Sequence, residues 1–158
     1  MIGANVLDLF AGTGAMAIEA LSRGAAGAVL VESSPAAVAV LRGNLASVDA
    51  SSAVCIPLDY RKALKQLAVG GETFSLVFLD PPYGRGLIDA AAAELDRANV
   101  LAPDALVVAE SARRDPREKT PAGWTMQSER RYGDTIVSFY DVGPKTESPM
   151  DEPTKEDQ

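Results

Sequence analysis

The sequence predicts an α/β protein: a mostly parallel sheet of seven strands with helices on both faces and a C-terminal antiparallel hairpin. Three observations predict it. Apolar runs of strand length alternate with helical stretches from the first residues onward. The last two extended runs are joined by a turn signal rather than a helix. At 158 residues and 47% apolar composition, the chain is one domain's length with material for a real core.

The elements follow in order. Val6 to Phe10 is a short apolar run ahead of a glycine loop and reads as a buried strand. Gly14 to Arg23 reads as a helix, with Gly24 at its C-terminal end. Ala28 to Glu32 is a second buried strand. Ser34 then caps a helix whose first position is Pro35, with Val38, Leu41, Leu45 and Val48 as its apolar stripe. Ala53 to Leu58 is a third strand. Leu64 and Leu67 mark a short helix ended by Gly70 and Gly71. Phe74 to Leu79 is a fourth strand, stopped by Pro81 and Pro82. Leu87 to Arg97 is helical, with Ile88, Ala91 and Leu95 on one face, and Ala105 to Ala109 is a fifth strand. Trp124 to Arg131 and Thr135 to Val142 form a hairpin through Tyr132-Gly133-Asp134. The domain is expected to span 1–142. Residues 143–158, dense in acid and proline and without an aromatic residue, are expected to be a disordered tail.

Composition excludes several chemistries. The chain has no histidine, which removes a Ser-His-Asp triad, a histidine base and an HExxH zinc site. Cys55 is the single cysteine, so neither an internal disulfide nor a CxxC site is available. It sits in an apolar strand and reads as a core residue. No metal is expected. The longest apolar runs are strand-length and no export signal opens the chain, so no membrane partner and a cytoplasmic location are expected. The net charge of −7 alone argues against a nucleic-acid partner. It is unevenly spread, however: residues 141–158 carry −4 of it, while 113–131 is +3. Arg113, Arg114, Arg117 and Lys119 therefore read either as a solvated loop or as phosphate contacts.

Two motifs carry chemistry. Asp8-Leu9-Phe10-Ala11-Gly12-Thr13-Gly14 lies where the first strand turns into the first helix. Its glycines let backbone approach a ligand at a helix N-terminus. Glu32 ends the next strand, where a carboxylate can bind both hydroxyls of a ribose. A tight turn without a ligand is the alternative, but the glycine pair together with Glu32 points to a nucleotide-type cofactor. Gly12 to Ala17 also fits G-x-G-x-x-A, so NAD-dependent hydride transfer stays open. Against it, Asp8 suits a cationic ligand better than a pyrophosphate.

The second motif is Asp80-Pro81-Pro82-Tyr83, at the carboxyl end of the fourth strand. Two prolines fix the backbone and remove two N–H donors, leaving the Asp80 carboxylate and the Pro81 carbonyl as acceptors. Such a site suits a substrate that offers two N–H donors, an exocyclic amino group. Tyr83 adds a face on which a base can stack. Asp59, after the third strand, reads equally as a helix N-cap or as an acceptor for an adenine amino group.

These residues resemble a known family. Asp8 to Gly14 resembles motif I of class I S-adenosylmethionine-dependent methyltransferases, and Asp80-Pro81-Pro82-Tyr83 resembles their amino-methyltransferase motif IV. The stretches from Asp8 to Ala25 and from Phe78 to Tyr83, with Tyr132-Gly133-Asp134-Thr135, are similar to the RsmD-type 16S ribosomal RNA guanine-N2 methyltransferases. The resemblance covers residues 5–141 and implies a Rossmann-like fold with the seventh strand antiparallel between the fifth and sixth. It implies S-adenosylmethionine as cofactor, held by Asp8, Phe10, Ala11, Gly12, Gly14, Glu32 and Asp59. It implies catalysis at Asp80, Pro81, Pro82 and Tyr83, and ribosomal RNA of the small subunit as partner. An adenine or glutamine amino methyltransferase, or a cofactor-binding domain without activity, are the other readings. Members of that family carry a basic N-terminal segment before the first strand. Met1 here stands directly ahead of the strand, so the segment is expected to be missing.

Overall fold

In a computed structural model, residues 1–82, 86–114 and 120–143 are described. Tyr83, Arg117, Lys119 and the expected tail from residue 144 onward lie outside these residues. The elements are β1 (Asn5–Asp8), α1 (Ala15–Ser22), β2 (Gly27–Val31), α2 (Pro35–Ser47), β3 (Ala53–Ile56) and α3 (Tyr60–Gly70). They continue with β4 (Phe74–Leu79), α4 (Leu87–Ala98), β5 (Leu101–Ala112), β6 (Trp124–Tyr132) and β7 (Thr135–Val142). One seven-stranded sheet runs in the order β3-β2-β1-β4-β5-β7-β6. β1 to β5 are mutually parallel, and β7 lies antiparallel between β5 and β6.

Period-two alternation divides the core between the two faces. Leu7, Val29, Val31, Val77, Leu79, Val107 and Ala109 pack with Leu64 and Leu67 of α3 and Leu95 of α4. Val6, Ala28, Leu30, Leu76 and Phe78 pack with Ala17 and Ala20 of α1 and Leu41 of α2. Both faces of the central strands are thus buried, which is why they read as continuous apolar runs. The strand order reverses between β1 and β4, and a ligand crevice belongs outside the carboxyl ends of those two strands.

Several local expectations need correction. β1 ends at Asp8, so Leu9 and Phe10 already belong to the turn, although the Leu9 N–H still reaches the Phe78 carbonyl at 3.2 Å. β3 stops at Ile56 instead of Leu58. Val48 is the exposed C-cap of α2, not the last member of its stripe; the stripe runs out at the half-buried Leu45. β5 begins at Leu101, earlier than expected, because it carries an irregularity. Its register with β4 shifts between Phe74 and Leu76, and Asp104 takes φ +58°. That bulge accommodates Pro103, a residue that argues against a strand elsewhere. Cys55 is half-buried on β3 and packs against the α1 side of the core.

Candidate functional site

The glycine loop is built by two residues with different tasks. Gly14 is the N-cap of α1 at φ +83°, and a Cβ there would lie 2.4 Å from Leu41 Cδ1 and 3.2 Å from Leu30 Cδ2. It lets the loop sit down on the core. Gly12 takes φ +52°, and a Cβ there would meet nothing within 4 Å. It leaves open space beside the loop. Side chains hold the turn from both sides. The Gly12 N–H donates to Glu32 Oε2 at 2.9 Å, and the Ser34 N–H donates to Glu32 Oε1 at 2.8 Å. Asn44 Nδ2 donates to the Thr13 carbonyl at 2.9 Å. Glu32 therefore ties the loop to the start of α2. A carboxylate offers about four lone-pair sites, so capacity for further donors remains.

A second wall comes from the start of α3. Asp59 is its N-cap, accepting the Arg61 N–H at 3.0 Å. Next to it Phe10 packs on Tyr60 with ring centroids 5.3 Å apart, and the Arg61 guanidinium lies 4.6 Å from the Tyr60 ring centroid. Tyr60 is buried, and its hydroxyl has no hydrogen-bond partner among the described residues. The third wall follows β4. Pro81 is buried, while Asp80 and Pro82 reach solvent.

These walls enclose one open cavity of about 610 Å³. Of the residues singled out from sequence, Phe10, Gly12, Glu32, Asp59, Asp80, Pro81 and Pro82 line it. Asp8, Ala11 and Gly14 do not. Ala11 is buried, with its N–H on the Val31 carbonyl at 2.9 Å, and Gly14 faces Leu41; both shape the loop from behind. Sequence reasoning missed Ser33, Leu58, Tyr60, Arg61 and Leu87. For Tyr60 and Arg61 a signal existed: they directly follow a candidate N-cap at a strand's carboxyl end.

The electrostatics are acidic and strained. Asp8 closes β1 at 3% exposure, and burial pushes its carboxyl up to about 7. The Phe10 N–H that it accepts works the other way, while Asp80 and Glu32 add repulsion. Asp80 is raised to about 6, first by the part of its carboxyl that is withdrawn from water and then by the Glu110 carboxylate. Among the described residues no group of three or more His, Cys, Asp or Glu is arranged to hold a metal ion. No described helix is long and apolar enough to cross a membrane.

Comparison with known proteins follows the same lines. The family model described as conserved hypothetical protein 95 matches residues 1–141. Ribosomal RNA small subunit methyltransferase D of Escherichia coli is 36% identical over 151 residues, 96% of this chain and 75% of that protein. A solved Escherichia coli protein assigned as a methyltransferase, yhhF, superposes with a TM-score of 0.84 at 35% identity. That match covers 91% of this chain and 80% of the other. A SAM-dependent methyltransferase from Agrobacterium tumefaciens shares the fold at a TM-score of 0.65 and 19% identity, over 88% of this chain and 56% of that one.

Proposed function

The chain belongs to the conserved hypothetical protein 95 family, and from that premise we propose that it methylates N2 of a guanine in small-subunit ribosomal RNA, with S-adenosylmethionine as donor. The observation that carries this reading is the shared cavity: Gly12 and Glu32 line the same space as Asp80, Pro81 and Pro82. A nucleoside-binding half and an acceptor-rich half thus face each other. The family's methyltransferase relatives, one of them named for small-subunit ribosomal RNA, support the substrate.

The residues present fit the cofactor. At about 610 Å³ the cavity falls in the range of small-ligand sites, roughly 300–1,000 Å³. The space beside Gly12 is open and Glu32 has acceptor capacity left for ribose hydroxyls. Asp59 offers an acceptor for an adenine amino group, and Asp8, buried behind the lining, adds negative charge that favours a cation. When bound, S-adenosylmethionine supplies an electrophilic methyl group on a cationic sulfur.

The chain's own residues act on the amino group. A guanine amino nitrogen is a poor nucleophile because its lone pair is spread into the ring. Asp80 and the Pro81 carbonyl accept its two hydrogens, favour a pyramidal nitrogen and hold the lone pair in line. Tyr83 is assigned to stack the extruded base. The new N–C bond would form as the methyl–sulfur bond breaks, with that bond's electron pair left on the departing, now neutral sulfur, and the nitrogen would give up one proton to the Asp80 carboxylate. With its carboxyl near 6, Asp80 is mostly ionised at neutral pH and ready to accept. Positioning and fixed acceptors carry most of the acceleration.

The test is methyl transfer from labelled S-adenosylmethionine to unmodified small ribosomal subunits, followed by nucleoside analysis. N2-methylguanosine is the expected product. A methylated adenosine would keep the site chemistry and overturn the substrate. Absence of both cofactor binding and transfer would overturn the reading of the glycine loop.

A further inference from the structure

We propose that the β6–β7 hairpin tip and the end of β5 form the surface on which the RNA backbone flanking the methylated nucleotide docks. The proposal rests on the RNA reading above. Its elements are Arg113, Arg114, Arg130, Arg131 and Tyr132, all exposed.

Sheet register puts this patch at the reacting end of the fold. Leu79 pairs with Ala109, so Asp80 is level with Glu110. Glu110 pairs with Val137, and Val137 pairs with Arg130. Arg130 therefore stands in the same row as Asp80, three strands across, which is about 14 Å at about 4.8 Å per strand. Arg131 and Tyr132 continue past that row, toward the side where the crevice opens. Arg113 is fixed there too, because its N–H donates to the Asp134 carbonyl in the hairpin turn at 2.8 Å.

The side chains are presented rather than consumed. Apart from Trp124, every residue of β6 is exposed, and among the described residues the strand stands at the edge of the sheet. The Arg130 guanidinium rests 5.5 Å from the Phe139 ring centroid, which orients it without neutralising it. Arg131 meets Glu129 at 3.4 Å, in a pair whose arginine side is 68% exposed. An exposed pair of this kind is worth little and exchanges readily for a phosphate. Tyr132 is 59% exposed at the tip, a flat face for a neighbouring base. Four arginines in a chain of net charge −7 localise an anion-binding surface that the global charge conceals. A phosphate backbone is the partner of matching charge.

The experiment compares the wild-type chain with R130Q/R131Q and with R113Q/R114Q. Binding to small subunits and to protein-free 16S RNA is measured against salt, beside KM and kcat for methyl transfer. Each lost phosphate contact costs about four- to fivefold at 0.15 M salt. Each double variant should then raise KM and Kd about 20-fold, lower the salt slope by about 1.5 and leave kcat within about twofold. Cofactor affinity and thermal midpoint, unchanged in both variants, report that the fold is intact. Should one variant fail to fold, the other carries the same comparison. A wild-type chain that binds or methylates RNA beside variants of unchanged KM and salt slope overturns the docking surface alone. A wild-type chain that does neither overturns the function and the surface together. Weakened binding to assembled subunits but not to protein-free RNA assigns the patch to a ribosomal protein, and also overturns the proposal.

Discussion

Replacing Asp8 by Asn probes the acidic crevice directly. In the folded chain Asp8 keeps its proton up to about pH 7, mainly because it is buried, whereas the unfolded chain releases it near 3.8. Between those values the folded state holds more protons. The stability linked to Asp8 is therefore fully present below about pH 4 and is lost as pH rises to 7. A shift of about three units corresponds to about 4 kcal/mol at pH 8, and about 3 kcal/mol of that falls between pH 5 and pH 8. Asn keeps the acceptor for the Phe10 N–H but does not titrate. The ligand-free wild type should lose about 3 kcal/mol over this range relative to Asp8→Asn, roughly 6–12 °C in midpoint for a domain of this size. Urea unfolding of both proteins at pH 5, 6, 7 and 8 reads the difference. Cofactor affinity should move oppositely: weaker in the variant at pH 8, and in the wild type rising with pH toward 7 as the carboxylate forms. Parallel pH profiles for the two proteins would refute the argument, since Asp8 would then not titrate in this window.

Other perturbations separate the remaining roles. Asp80→Asn should lower labelled-methyl turnover by about 10²–10³ while a calorimetric titration finds cofactor affinity within about threefold, because the acceptor acts on the amino group; loss of both together would show that Asp80 serves the cofactor. In the wild type, kcat should rise with pH through about 6 as Asp80 ionises, and that limb should vanish in the variant. Gly14→Ala should destabilise by about 2–4 kcal/mol in urea, since its Cβ would overlap Leu41 at positive φ. Gly12→Ala should cost only about 1–2 kcal/mol of stability yet weaken cofactor binding, because its Cβ would enter open space beside the cavity. Glu32→Gln should weaken cofactor binding at least tenfold while retaining most of the fold, measured by the same titration.

The sheet was legible because its strands are buried on both faces. Continuous runs such as Ala28 to Val31 and Phe74 to Leu79 leave few alternatives when helical spacing separates them. The chain ends of elements were less legible. Pro103 hides the first half of β5, and only the bulge with Asp104 at φ +58° explains how the strand tolerates it. The site was legible where chemistry is local: the glycine loop, Glu32 and Asp80-Pro81-Pro82 sit on strand ends that topology brings together. It was not legible where packing decides. Nothing in the residue types shows that Ala11 and Gly14 face the core, or that Phe10 in the glycine loop meets Tyr60 at the start of α3.

The crevice is arranged against the stability of its own empty state. Asp8 pairs across β1 and β4 with Phe78, two residues before Asp80, so the two strand ends carry carboxylates side by side. Asp80 and Glu32 both raise Asp8, and Glu110 raises Asp80. Among the described residues, no ion pair neutralises Asp8, Glu32 or Asp80. A chain selected for stability alone would place a neutral residue at Asp8, a gain of the size that the Asn variant measures. Retaining a buried acid among acids makes sense if the occupant brings positive charge, because the repulsion is then relieved by binding and adds to the affinity for a cation over a neutral or anionic analogue. The same reasoning separates the cofactor readings. A pyrophosphate in this crevice would meet the like charge of Asp8, Glu32 and Asp80, whereas a sulfonium-bearing nucleoside relieves it.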